Sequence, residues 1–127
     1  MSLATEDYLF NQGHMWCRIS ADGTYLIGIS DHAQRSLGEI AYIELPDCGT
    51  DVAQDTALGV IESVKVVNDL LAPISGSVVE VNEDLTGQPT RVNDSPYEDG
   101  WMLRIRLESP EELNNLMNYS QYAAFVG

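Results

Sequence analysis

One side chain stands apart for the chemistry it could do. Lys65 is the only lysine among 127 residues, and Arg18, Arg35, Arg91, Arg104 and Arg106 supply every other cation. A primary amine can be acylated where a guanidinium cannot, so the chain offers one side-chain amine for covalent modification. Other reactive types are sparse. Cys17 and Cys48 are the only cysteines, with no CxxC pair and no histidine-rich spacing to suggest zinc. One disulfide or two idle thiols are the remaining readings, and idle thiols fit a reducing compartment. His14 and His32 could act as bases, but no nucleophile motif lies beside either. Both read as structural or surface histidines.

The elements around the lysine are short and β-rich. Runs 24–29, 40–45, 57–64, 66–71, 77–81 and 101–107 hold Val, Ile, Leu and Tyr between turn residues such as Pro46-Asp47 and Pro73…Gly76. Lys65 falls between two of them, where a hairpin must turn. With no Gly or Pro in that bracket, a type I turn is expected, holding the lysine out in solvent on a two-stranded support. Alternatively, an edge-strand lysine would block sheet-to-sheet pairing. In the last run Arg104 and Arg106 alternate with Leu103, Ile105 and Leu107, which puts the charges on the outer face. Six or seven such strands suggest a small barrel or sandwich. Helices are expected only at the edges: Asp31–Gly38 with Asp31 as N-cap, a capping box from Ser109 to Glu112, and a final helix over Tyr119–Phe125. Trp16 and Trp101 read as core or half-core aromatics.

Composition bounds the partners. Twenty acidic against six basic residues give a net charge of −14. Residues 1–60 hold nine acids and two bases, residues 61–127 eleven and four, so the charge is spread over one domain (1–127) and not gathered in a tail. Nucleic acid and anionic membrane are therefore poor partners, and basic protein surfaces are good ones. No apolar run approaches the roughly 20 residues of a membrane helix. The acidic start reads as neither signal nor transit peptide, and residues 1–5 are expected to be disordered or foreign to the natural chain.

Four ordered blocks carry a resemblance. Gly59-Val60-Ile61-Glu62-Ser63-Val64-Lys65 with Asp69, Pro73-Ile74-Ser75-Gly76 and Val78–Asn82 closely resembles the lipoylation segment of glycine cleavage system H proteins. His14-x-Trp16-x-Arg18, Gly28–Gln34 with Leu37-Gly38 and Glu44-Leu45-Pro46, and Asn93–Trp101 are similar to further blocks of that family. The resemblance implies a mainly β, lipoyl-domain-like barrel-sandwich hybrid of two small antiparallel sheets with short peripheral and C-terminal helices. It implies lipoate in amide linkage on Lys65. The protein would then be a carrier and no enzyme. It would shuttle an aminomethyl group between glycine decarboxylase (P protein), aminomethyltransferase (T protein) and dihydrolipoamide dehydrogenase (L protein). Glu62 and Gly76 match positions recognised by the lipoate-attaching enzyme, and Asp69 a position near the arm's docking cleft. Their plain alternatives are a solvated strand carboxylate, a turn glycine of positive φ and a second solvated carboxylate.

One residue departs from the pattern. The family has Glu where this chain has Met15, and that Glu helps hold the aminomethyl amine. A thioether accepts a hydrogen bond only weakly, so Met15→Glu is expected to restore an opposite charge beside the arm. The competing readings are an H-like lipoate depot or unmodified interaction module, and a biotin carrier. The valines flanking Lys65, where biotinyl domains carry methionines, argue against biotin. A monomer is expected, in the cytoplasm of a bacterium or, already processed, in a mitochondrial matrix.

Overall fold

The computed structural model describes residues 7–127, so the expectation for residues 1–5 lies outside the described residues. These residues form nine strands. They are β1 (Tyr8–Phe10), β2 (Met15–Ile19), β3 (Tyr25–Ile29), β4 (Ile40–Glu44), β5 (Asp51–Val52), β6 (Ala57–Ser63), β7 (Val67–Leu71), β8 (Gly76–Val81) and β9 (Leu103–Leu107). The six predicted runs appear as β3, β4, β6, β7, β8 and β9; β8 starts one residue earlier than expected and the others are trimmed by a residue or two. β2 escapes periodicity because it is buried on both faces. Met15 and Cys17 enter the main core, while Trp16 enters a separate aromatic cluster with Tyr8, Phe10 and Tyr122. With the first three residues of β2 buried in succession, the sequence shows no alternation there.

The strands build two antiparallel sheets, ordered β1-β2-β3-β9-β8-β5 and β4-β6-β7. Both contribute to one core. Cys17, Ile27, Val78 and Ile105 from the larger sheet pack in the same cluster as Ile43, Leu58, Ile61 and Leu70 from the smaller. In β9, Leu103 and Ile105 are buried, whereas Arg104 turns outward to pair with Glu80 at 2.8 Å.

Four α-helices and a 3-10 helix lie at the periphery: α1 (Asp31–Leu37), α2 (Asp84–Gly87), α3 (Arg91–Asp94), the 3-10 helix Pro110–Asn115, and α4 (Tyr119–Val126). Two predicted caps differ. Ser30, not Asp31, caps α1 by accepting the Ala33 N–H, which frees Asp31 to pair with Arg35 at 3.0 Å. The Ser109–Glu112 capping box does not form, because Glu112 has a better use. Its carboxylate accepts the Ser75 N–H and hydroxyl, each at 2.7 Å, tying the 3-10 helix to the Pro73–Gly76 turn. The capping box occurs instead on α4, from Asn118 to Gln121. Both cysteines are free, Cys17 buried and Cys48 exposed.

Candidate functional site

β6 and β7 pair in register from Val60↔Asp69 to Glu62↔Val67, so Lys65 falls at the hairpin tip. One hydroxyl organises that tip. Ser63 Oγ accepts the Lys65 and Val66 N–H groups, both at 3.1 Å, while Ser63 N–H donates to the Val66 carbonyl at 2.8 Å. This side-chain turn replaces the Gly or Pro that the bracket lacks. A further bond from Val64 N–H to the Glu39 carbonyl, 3.1 Å, ties the tip to the α1–β4 connection.

The lysine is exposed, and its amine donates to the Ser36 carbonyl at 3.2 Å. Ser36 lies in the last turn of α1, where carbonyls lack helical partners and attract cations. Gly38 keeps the path open, since a Cβ there would stand 3.2 Å from Lys65 Cε. Its φ of +82° also suits glycine alone.

Beside the tip opens a cleft of about 310 Å³. Ile29, Ala33, Leu37, Ile61, Val66 and Leu70 give it apolar walls. Its polar lining comes from His14, His32, Ser36, Asn68 and Asp69. Among the lining residues Asp69 carries the only carboxylate. An aliphatic acyl chain running from the Lys65 amine could bury its methylenes against these walls. The donor set therefore fits an acylated lysine: an accessible amine at the mouth of an apolar groove.

His14 reaches the cleft from the β1–β2 connection. Its φ of +68° bends the chain there, and Asn11 braces the bend by accepting the Met15 N–H at 2.9 Å while donating to the Leu71 carbonyl at 3.0 Å. The His14 and His32 rings lie 5.1 Å apart. Burial, and then the neighbouring His32, lower the His14 pKa below the ordinary histidine value. By sequence both histidines read as structural or surface residues, yet they meet at one wall of this cleft. Only the pairing of β1 with β2 and the position of α1 could show that.

The predicted site residues divide. Asp69 lines the cleft, Lys65 stands beside it with its amine on the carbonyl of the lining residue Ser36, and exposed Glu62 lies on β6 three residues before the lysine, opposite Val67. Gly76 belongs to the other sheet. It is buried in β8, without positive φ, and a Cβ there would strike the Arg106 carbonyl oxygen. Close strand approach, not a turn, accounts for this glycine. Met15 does not line the cleft either. It is 1% exposed within the main core, so a glutamate there would have to turn out of that core to meet an arm.

Comparisons with known proteins agree along the whole described chain. Residues 8–127 match the family model described as Glycine cleavage H-protein. A glycine cleavage system H protein of Opitutus terrae is 43% identical over 127 residues, covering all of both chains. One from Chromohalobacter salexigens is 43% identical over 126 residues, covering 99% of this chain and 96% of that protein. The crystal structure of a glycine cleavage system H protein from Mycobacterium marinum superposes with a TM-score of 0.85 at 31% identity, covering 96% of this chain and 98% of that one.

Proposed function

The chain belongs to the glycine cleavage H-protein family, and from that premise we infer how its residues serve as the system's lipoyl carrier. It is a carrier subunit with no catalysis of its own, its cofactor is covalently attached lipoate, and its partners are the P, T and L proteins. The attachment point we propose is Lys65. The observation that carries this is the coincidence of the sole lysine with a hairpin tip beside an apolar cleft.

When bound, lipoate supplies a dithiolane sulfur that accepts the aminomethyl unit of glycine. The chain's own residues have three tasks. Ser63 fixes the tip so that an attaching enzyme meets one backbone shape. Leu37, Ile61 and Leu70 shield a returning arm from water. Asp69 provides the charge against which a cationic cargo would dock. Acylation removes the Lys65 charge, moving the chain from −14 to −15.

Glu62, on the strand leading to the tip, is proposed as a direct contact for the lipoate-attaching enzyme. Gly76 would act indirectly, by allowing the β8–β9 approach that its position requires. The shared core of the two sheets supports treating residues 1–127 as one lipoyl-binding domain. No helix of the described residues is long and apolar enough to cross a membrane, and the relatives are bacterial. A cytoplasmic monomer is the corresponding proposal for this chain.

Intact mass and peptide mapping after expression in a lipoate-competent host test the attachment point. One lipoyl group on Lys65 is expected, and modification elsewhere would refute the assignment. Reconstitution with the P, T and L proteins then tests whether the loaded carrier supports glycine cleavage.

A further inference from the structure

The cleft wall opposite the hairpin tip ends in a chain of three hydrogen-bonding side chains from three elements. His14 Nδ1 lies 2.8 Å from the Tyr122 hydroxyl on α4, and that hydroxyl lies 2.6 Å from Ser30 Oγ at the start of α1. Ser30 Oγ also accepts the Ala33 N–H at 3.1 Å. Ser30 is fully buried and Tyr122 is 3% exposed, so water cannot serve them freely.

Counting protons sets the direction of the chain. The Ser30 hydroxyl proton has one acceptor among its recorded partners, the Tyr122 oxygen, because the Ala33 N–H is itself a donor. Tyr122 must then give its own proton to His14 Nδ1. An Nδ1 that accepts a proton is bare, so the neutral ring carries its hydrogen on Nε2. The reverse direction, or a cationic His14, would put a proton on Nδ1, turn the Tyr122 hydroxyl toward Ser30 and leave the buried serine proton without a partner. Buried donors are seldom left unpaired.

We propose that Tyr122 and Ser30 are positioning residues that lock His14 in the neutral tautomer with its proton on Nε2, making the cleft selective for arm ends that are uncharged or positive. This rests on the reading of the cleft as the docking place of an acylated Lys65. Charged and titratable groups around His14 are few. His32 and Asp31 lie on α1, with the Asp31 carboxylate bonded to Arg35 and Gln34. Tyr122 lies on α4, Asp69 on β7, and Lys65 at the tip bonds to α1. With His14 neutral and Lys65 acylated, neither of these two side chains opposes Asp69. An arm end bearing a carboxylate would meet Asp69 with no cation from His14 to offset it. The direction of the His14 shift, toward the neutral form, agrees with such a lock.

The test is imidazole nitrogen NMR of the full-length protein between pH 8 and 5, unmodified and lipoylated, with Tyr122→Phe beside it. The wild type should show His14 as the Nε2–H tautomer, protonating below the ordinary histidine range. Tyr122→Phe keeps the ring that stacks on Phe10 at 4.3 Å and deletes only the hydroxyl. In that variant the tautomers should mix and the midpoint should move up. An Nδ1–H tautomer in the wild type overturns the lock, as does an unchanged His14 spectrum and titration in the variant. If the variant does not fold, the wild-type tautomer still decides. Intact mass of the same samples reports Lys65 acylation separately, so failure of the carrier reading would be seen apart from failure of the lock.

Discussion

The hairpin tip that carries Lys65 and the loop that carries His14 border the same cleft, yet they are built in opposite ways. At the tip Val64 and Val67 are 68% and 60% exposed, and one serine hydroxyl holds the turn. Behind His14, which lines the other wall, Phe10, Trp16 and Tyr122 are buried, Phe10 stacks on Tyr122, and Trp16 Nε1 donates to the Ile29 and Pro96 carbonyls at 2.9 and 3.1 Å. A residue that must enter partner active sites needs reach and little packing. A wall that must receive a returning arm needs fixed atoms. Under the proposed attachment at Lys65, the difference would separate delivery of the arm from its storage.

The sharpest way to break this contrast is at the tip. Lys65→Arg should abolish lipoylation completely, by intact mass, while shifting stability by less than about 0.5 kcal/mol, because the side chain is exposed. Any lipoyl group retained on the variant would end the assignment.

The opposite wall should behave in reverse. Trp16→Ala removes a fully buried ring and its two hydrogen bonds, at a cost of about 3–5 kcal/mol. Urea denaturation measures it, and a loss near that of an ordinary surface change would mean the wall is not the fixed half.

Alkaline pH probes the packing on both faces of β2 without mutation. Burial pushes the Cys17 thiol and the Tyr97 phenol each up to about 12. Both groups are protonated in the native state beyond the pH at which the unfolded chain loses those protons. Their stabilising contribution is therefore complete below the unfolded values of 9.0 and 10.0, and falls as pH rises from there toward 12. The urea midpoint should follow that window, and a flat midpoint up to pH 12 would contradict it.

A salt series asks whether partners see the tip alone or the whole acidic surface. With a charge of −14, association with the P protein should slow by about tenfold or more from low to high salt, with dissociation changed less. An association rate constant that ignores salt would assign recognition to the tip's shape.

The smallest effect is expected at Ser63. Ser63→Ala deprives two amides of their acceptor and should cost about 1 kcal/mol. Lipoylation followed by time-resolved intact mass should slow without being lost. An unchanged rate would show that the attaching enzyme does not need a preset turn.

Much of this molecule could be read from local pattern. Lys65 announced itself by being alone, and the runs on either side of it had to form a hairpin because both are β-rich and only a few residues separate them. Leu103, Arg104 and Ile105 showed their faces by alternation. Other features left no such mark. Glu112 looks like the end of a capping box, but a caged carboxylate follows the strongest donors within reach, and Ser75 offers two. Gly76 looks like a turn glycine, though the constraint is a carbonyl on β9 that lies 30 residues later in the chain.

The sequence by itself determined that one amine was available, that it sat at an exposed turn, and that the surface was acidic. Those are properties of residue type and of neighbours within about ten positions. Tertiary structure alone decided that His14 and His32 face each other, that Tyr122 reaches back across 92 residues to Ser30, and that Met15 is core and not cleft. The physical reason is that hydrogen bonds and burial act over a few ångströms, whatever the distance along the chain. A polar side chain finds its partner only after the sheets have packed, so its role is set by the fold that surrounds it.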